Sequence, residues 1–288
     1  MQFFDLPVHA DCFTAPADLY LLSHYHRDHM EGLRRGWAGG RLLCSPTTAN
    51  LLAVLEGLPR ERMVTIEPGQ TIHFAIKRAD LAVTALDANH CPGALIFILE
   101  CGGRRIVYTG DFRINAGIRS QKARLAGAEV LYVDGTYASP EFSFPTQEES
   151  VAMVVDGVKR NQDKEVLLAV YTIGKNRIIE ALFAEFGKPV YVTKDKLRAY
   201  EAMGCGNLVT AERRRALLSA YSRAYFDRYF RWHNGRTPHN TLVIYPSGQP
   251  LEPPGRAGFL HVPYSEHCDW AEYREFVEMV GARTVVNT

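Results

Sequence analysis

Apolar and polar positions fall into two rhythms along the chain. Over the first 135 residues, short apolar runs recur at Leu19–Ser23, Met63–Glu67, Thr71–Ala75, Leu81–Leu86, Ala94–Cys101, Ile106–Thr109 and Val130–Val133. Each is strand-like in composition and length. Cys101-Gly102-Gly103-Arg104 joins two of them, and a Gly-Gly pair accepts the positive φ of a tight hairpin turn. One helix is expected in this part, from about Thr48 to Leu58.

After Pro140 the rhythm changes to helix and strand in alternation. Thr146-Gln147-Glu148-Glu149 is a capping box ahead of Val151, Val154, Val155 and Val158, which have helical spacing. A strand at Val166–Tyr171, a helix at Asn176–Phe186 closed by Gly187, and a strand at Val190–Thr193 follow. Two more helices are expected, Asp195–Met203 and a long one over Ala211–Trp232, whose Leu217, Tyr221, Tyr225 and Tyr229 would share one core-facing stripe. Strands return at Leu242–Tyr245 and Phe259–Tyr264. A second capping box, Asp269 with Glu272, opens a helix ending at Gly281, and Thr284–Thr288 begins another strand. The pattern therefore predicts an α/β domain interrupted by a second α/β segment.

Composition narrows the class only slightly. With 288 residues, 47% hydrophobic and 23% charged, the chain is of ordinary globular type. Its net charge of +1 favours neither nucleic acid nor membrane. Divided, the charge says more: residues 140–262 hold 17 basic and 13 acidic side chains, against 16 and 19 elsewhere. Lys194, Lys196, Arg198 and the run Arg213-Arg214-Arg215 lie in that middle segment, which leans towards a polyanionic substrate. Six scattered cysteines without a C-x-x-C pair argue for a reducing compartment. The N-terminus does not read as a signal peptide, and the longest apolar run, Ala94–Leu99, is far short of the roughly 20 residues that span a bilayer. A soluble intracellular protein is expected.

The chemistry is concentrated in His24-Tyr25-His26-Arg27-Asp28-His29, directly after a predicted strand. Three of only ten histidines, with an aspartate, occupy six positions. In an extended stretch His24 and His26 point to one side, while Asp28 and His29 come as the chain turns and can face a second point. Imidazole and carboxylate without thiolate suit Zn²⁺ first, with Mn²⁺ or Fe²⁺ as alternatives. His90 before a Pro-Gly turn, Asp111 after Gly110, and His267 ahead of the last capped helix are further strand-end candidates. Cys91 and Cys268 adjoin two of these and read as small buried apolar residues.

The motif Ser-His-Tyr-His-Arg-Asp-His resembles the H-x-H-x-D-H signature of the metallo-β-lactamase superfamily. Leu86-Asp-Ala-Asn-His-Cys-Pro-Gly93, Tyr108-Thr-Gly-Asp-Phe-Arg113 and Leu131-Tyr-Val-Asp-Gly-Thr-Tyr137 are narrower and resemble the β-CASP branch, specifically the DNA cross-link repair nucleases that include Apollo and Artemis. Residues 144–149, 171–175 and 263–267 continue the match, so it runs in order from Asp11 to the end. The resemblance implies an α/β fold, an αββα metallo-β-lactamase sandwich with an inserted α/β β-CASP domain. Its boundaries would be 1–139 for the first part, 140–262 for the insert and 263–288 for the return segment.

The same resemblance implies roles. His24, His26 and His90 would hold one metal, Asp28, His29 and His267 a second, with Asp111 bridging. Asp11 would orient the histidine loop, and Asp134 would open the β-CASP segment. The cofactor would be one or two Zn²⁺ ions, with Mn²⁺, Fe²⁺ or Mg²⁺ as substitutes. Phosphodiester hydrolysis fits such a centre. The Tyr171–Lys175 loop leads into a helix, so Thr172 and Lys175 could meet a 5′-phosphate, with Ser45, Thr136 and Ser247 on loops that lie near that pocket in related nucleases. The implied protein is a monomeric nuclear 5′-to-3′ exonuclease of DNA repair, acting on DNA that is single-stranded or has 5′-phosphate ends, with no membrane partner. An Artemis-like structure-specific endonuclease, an RNA-processing β-CASP nuclease and an inactive scaffold are the alternatives. The residue that separates RNA from DNA enzymes would fall just past Thr288.

Overall fold

A computed structural model describes residues 1–171, 173–233, 237–249 and 257–288. It divides into two compact units, Met1–Ser143 with Glu266–Thr288, and Phe144–Ser265.

The first unit holds two sheets. One is parallel throughout, in the order β1 (Val8–Ala10), β2 (Leu19–Leu21), β3 (Arg41–Cys44) and β4 (Met63–Thr65). The other contains β5 (Thr71–Ile76), β6 (Ala79–Asp87), β7 (Leu95–Cys101), β8 (Arg104–Tyr108), β9 (Val130–Val133) and β16 (Thr284–Asn287), with β16 beside β9 and the rest in chain order. Val8, Leu19, Leu21 and Leu43 from the first sheet share one core with Phe74, Leu81, Val83, Phe97 and Leu99 from the second. Burial on two faces explains why β2 reads as a continuous apolar run. Leu19 and Leu21 face the second sheet, whereas Tyr20 and Leu22 pack with Ala49 of α1 (Pro46–Leu51). Short helices α2 (Ala116–Ser120) and α3 (Lys122–Leu125) lie in the same unit as α8 (Trp270–Val280). Phe276 of α8 meets Phe112 with ring centroids 4.4 Å apart. The result is helix, sheet, sheet, helix: an αββα sandwich.

Several sequence expectations have direct counterparts. Gly102 and Gly103 both have positive φ, 57° and 77°, and turn β7 into β8. Both capping boxes form, at Thr146 and at Asp269. The helix expected over Thr48–Leu58 begins two residues earlier as α1, continues as a wider turn over Leu52–Glu56, and closes at left-handed Gly57.

The second unit is a six-stranded parallel sheet flanked by α4 (Gln147–Lys159), α5 (Asn176–Phe186), α6 (Lys194–Ala202) and α7 (Arg223–Trp232). Its strands are β10 (Glu165–Ala169), β11 (Val190–Tyr191), β12 (Val209–Thr210), β13 (Ser219–Tyr221), β14 (Thr241–Ser247) and β15 (Phe259–Pro263), in the order β12-β11-β13-β10-β14-β15. The long helix expected over Ala211–Trp232 is not formed. Arg213–Arg215 is a single 3₁₀ turn, and Ser219–Tyr221 becomes β13 between β11 and β10. Two flanking strands supply hydrogen bonds that outweigh the helical spacing of the tyrosines, so tertiary pairing overrides the local pattern. Tyr221 still stacks on Tyr225, 3.9 Å between centroids, although one sits on a strand and the other on α7. Among the described residues, no helix is long and apolar enough to cross a membrane.

Gly110, at the end of β8, has φ 50°, and a Cβ there would stand 2.5 Å from Ser23 Cβ and 2.6 Å from Ser23 Oγ. Left-handed strain and the clash act together, so Gly110→Ala should cost about 2–5 kcal/mol. The measurement is chemical denaturation; an unchanged midpoint would refute the close approach.

Candidate metal centre

Strands β6, β8 and β9 run in one direction, so their carboxyl ends share one edge of their sheet. Asp87–His90, Gly110–Asp111 and Asp134 leave from those ends, and the histidine loop leaves from the end of β2. Six of the seven residues implied as ligands come together there. His24 Nε2 and His26 Nδ1 are 2.9 Å apart, and His90 Nε2 is 3.2 Å from His26 Nδ1. Asp111 lies near four of the others: Oδ2 is 3.5 Å from His24 Nε2 and 3.6 Å from His90 Nε2, and Oδ1 is 3.2 Å from His29 Nε2. His267 completes a group with His90 and Asp111, its Nδ1 4.0 Å from Asp111 Oδ2. Asp28 stands apart. Its carboxylate is 80% exposed and 3.9 Å from His29 Nε2, outside the three converging groups.

These separations suit metal coordination. Ligands about 2.0–2.1 Å from a tetrahedral ion lie roughly 3.3 Å from one another, close to the 2.9 and 3.2 Å from His26 Nδ1 to the nitrogens of His24 and His90. The donor set is therefore that of a divalent-metal centre.

An outer ring of acceptors aims His24, His29, His90 and His267. Ser23 Oγ lies 2.9 Å from His24 Nδ1, and the Glu266 carbonyl is 2.9 Å from His90 Nδ1. His29 Nδ1 donates to Asp11 at 2.8 Å, and His267 Nδ1 to Asp134 at 2.7 Å. Asp11 also accepts from the Ser23 amide and hydroxyl and from the Tyr108 hydroxyl. It does so from a left-handed backbone, φ 49°, which turns both carboxylate oxygens inward. Such partners fix the tautomer that a metal requires. The loops are tied in turn: Asn89 Nδ2 donates to the Arg113 carbonyl, and the buried Arg113 guanidinium bonds Glu272 of α8.

Electrostatics follow from this geometry. Burial pushes His24 well below its ordinary pKa, assisted by the charges of His26 and His90. Burial also works against charge on His29 and His267, but hydrogen bonds to carboxylates outweigh it, lifting His29 to about 11 and His267 to about 9. Asp111, raised by burial, is pulled well below the carboxylate range by the His29 hydrogen bond and the surrounding imidazoles. Cys91 lies with His24, His26 and His90, ligand atoms within 4.8 Å of one another, while burial holds its thiol well above the usual range. Its sulfur is thus closer to the donors than a packing residue need be.

The hydroxyls expected at a phosphate pocket have local partners. Ser45 Oγ caps α1 by accepting from the Thr48 amide, Thr136 donates to Asp134, and Ser247 Oγ accepts from the Gln249 amide. Thr172 lies outside the described residues. Lys175 begins α5 with φ 58°, is buried, and donates to the Pro246 carbonyl at 2.6 Å. β10 and β14 are parallel neighbours, so the loop bearing Lys175 leaves from the sheet edge of the second unit where Ser247, expected on a loop, instead ends β14 paired with Pro263. Lys196 of α6 joins them from the end of β11, donating to the Tyr171 carbonyl. Read in sequence it is one charge among several in a helix start; nothing local marks its burial. Burial and the charge of Lys175 push it down to about 7.

A family model described as a beta-lactamase superfamily domain matches residues 2–172. The chain is 29% identical over 277 residues to 5′ exonuclease Apollo of Rattus norvegicus, covering 94% of this chain and 50% of that protein. It is 32% identical over 274 residues to 5′ exonuclease Apollo of Gallus gallus, covering 94% and 58%. With DNA cross-link repair protein SNM1 of Arabidopsis thaliana it is 27% identical over 300 residues, covering 93% and 60%. The chain thus spans about half to three-fifths of these relatives. A solved protein of unknown function from Enterococcus faecalis V583 shares the fold with a TM-score of 0.64 at 14% identity, covering 93% of this chain and 74% of that one.

The Lys196 environment has a measurable consequence. An unfolded-chain lysine titrates near 10.4, so between about pH 7 and pH 10 the unfolded chain holds a proton that the folded one lacks. Stability should therefore rise over that window. Lys196→Met removes the buried charge, and its advantage over the wild type should be greatest below pH 7 and shrink towards pH 10. Denaturation at pH 6, 8 and 10 tests this; a pH-independent gap would mean that Lys196 titrates normally.

Proposed function

Because the chain belongs to the beta-lactamase superfamily, we propose that it is a metal-dependent DNA nuclease of the cross-link repair group, hydrolysing phosphodiester bonds from a 5′-phosphate end in the 5′-to-3′ direction. The unit Phe144–Ser265 is then its β-CASP domain. One observation carries the reading: five histidines and a shared aspartate converge at neighbouring strand ends, with His24, His29, His90 and His267 each aimed by an acceptor of its own. His24, His26 and His90 would hold one ion and His29, His267 and the exposed Asp28 a second, with Asp111 between them. Zn²⁺ or a related divalent ion would supply Lewis acidity towards both the phosphodiester and the attacking water.

The protein's own part is preorganisation. Asp11 and Asp134 keep His29 and His267 oriented, so the site need not reorganise when substrate arrives. Asp111 stays ionised because four imidazoles surround its carboxylate. Lys175, its ammonium group bonded to the Pro246 carbonyl, supplies positive charge for a terminal phosphate, and an anion there would draw a proton back onto neighbouring Lys196. The relatives' names, 5′ exonuclease Apollo and DNA cross-link repair protein SNM1, support the same substrate class.

His26→Ala and Asp111→Asn should each abolish hydrolysis of a 5′-phosphorylated single strand and lower the bound metal, with little change in far-UV circular dichroism. Full activity at unchanged metal content would refute the assignment.

The end specificity has its own test. Lys175→Met should remove one charge-assisted contact worth about 1.5–3 kcal/mol, a loss of roughly ten-fold to a hundred-fold on 5′-phosphate DNA. Hydrolysis of 5′-hydroxyl DNA should change far less. Equal losses on both ends would instead make Lys175 a general backbone contact.

A further inference from the structure

The outer face of α7 has no role in the reading above. Phe226 is buried in this helix and Tyr225, Tyr229 and Phe230 pack around the same cluster, which accounts for one side. The other side carries Arg223, Asp227, Arg228, Arg231 and Trp232, all exposed. Trp232 is 86% exposed, whereas the next most exposed large apolar residue described, Tyr171, is 49% exposed. An indole that could bury a large apolar area is left in water, four residues beyond Arg228 and therefore one turn along the same face. Its ring centroid lies 6.0 Å from that of His233 at an interplanar angle of 32°, and His233 lies 4.6 Å from Tyr229, so aromatic rings continue from the core to the surface. Among the described residues, no carboxylate is in salt-bridge range of Arg223, Arg228 or Arg231; Arg231 Nε donates to the Asp227 main-chain carbonyl.

We propose that this face of α7 is a stacking platform for single-stranded DNA, with a base on the Trp232 indole and phosphates on Arg228 and Arg231. Charge complementarity selects the occupant. Three arginines against one aspartate leave the face positive, and an exposed flat ring flanked by guanidinium groups matches the alternation of base and phosphate. A duplex hides its base faces, so it could use the arginines but not the indole. The inference rests on the nuclease reading for the presence of DNA and adds where a strand is held in the second unit.

The test uses the full chain carrying Asp111→Asn, so that the strand survives, and a 5′-phosphorylated (dT)₂₀ labelled at its 3′ end. Trp232→Ala should weaken binding about five-fold to a hundred-fold, with Trp232→Phe largely restoring it. Tryptophan emission should be quenched by the strand, and much less so in Trp232→Phe. Arg228→Gln and Arg231→Gln should each reduce the slope of log K against log salt by about 0.7, whereas Trp232→Ala should leave that slope unchanged. Unchanged binding by Trp232→Ala would overturn the platform. So would light scattering that shows a dimer dispersed by Trp232→Ala with DNA affinity intact, since the indole would then be covered by a second copy. Hydrolysis by the wild-type chain is measured separately on the same strand. Cleavage with no Trp232 effect removes only the platform, whereas neither cleavage nor binding removes the nuclease reading as well.

Discussion

Imidazole nitrogens held about 3 Å apart in a buried place cannot all carry protons, and this repulsion is the constraint on which the first unit is organised. His24, His26 and His90 face one another at that spacing, with His29 and His267 alongside. Such a cluster is stabilised by holding its rings from behind and by placing a negative charge among them. Asp111 provides the charge; Ser23, Asp11, Asp134 and the Glu266 carbonyl hold four of the rings. The same repulsion between donors is what a divalent cation relieves. Features that look unrelated serve this arrangement: the left-handed backbone at Asp11, the absent Cβ at Gly110, and the buried Arg113–Glu272 pair.

The second unit repeats the placement with opposite chemistry. Parallel strands put successive loops at one edge, and there the buried groups are cations rather than imidazoles. Lys175 and Lys196 bury ammonium groups against main-chain carbonyls, and the neighbouring charge helps to drive Lys196 down to about 7. A bound anion would relieve the repulsion between the two lysines, as a cation would relieve that within the histidine cluster.

What the sequence by itself determined is the chemistry and most of the strand pattern. Three histidines and an aspartate in six positions mark a candidate metal-binding loop, because ligand type and spacing are local properties. The Gly-Gly hairpin and both capping boxes are local as well, each decided by residues within a few positions of one another. Only the tertiary structure decided which donors meet. His90 and Glu266 are 176 positions apart, and Asp134 and His267 are 133 apart, so no local spacing can announce those contacts. It also drew Ser219–Tyr221 out of an apparent helix into the middle of a sheet, left Asp28 in solvent, brought the Cys91 sulfur beside three imidazoles, and buried Lys196. The physical reason is the same in each case: burial and strand pairing depend on what the rest of the chain brings alongside, and a side chain's local neighbours do not carry that information.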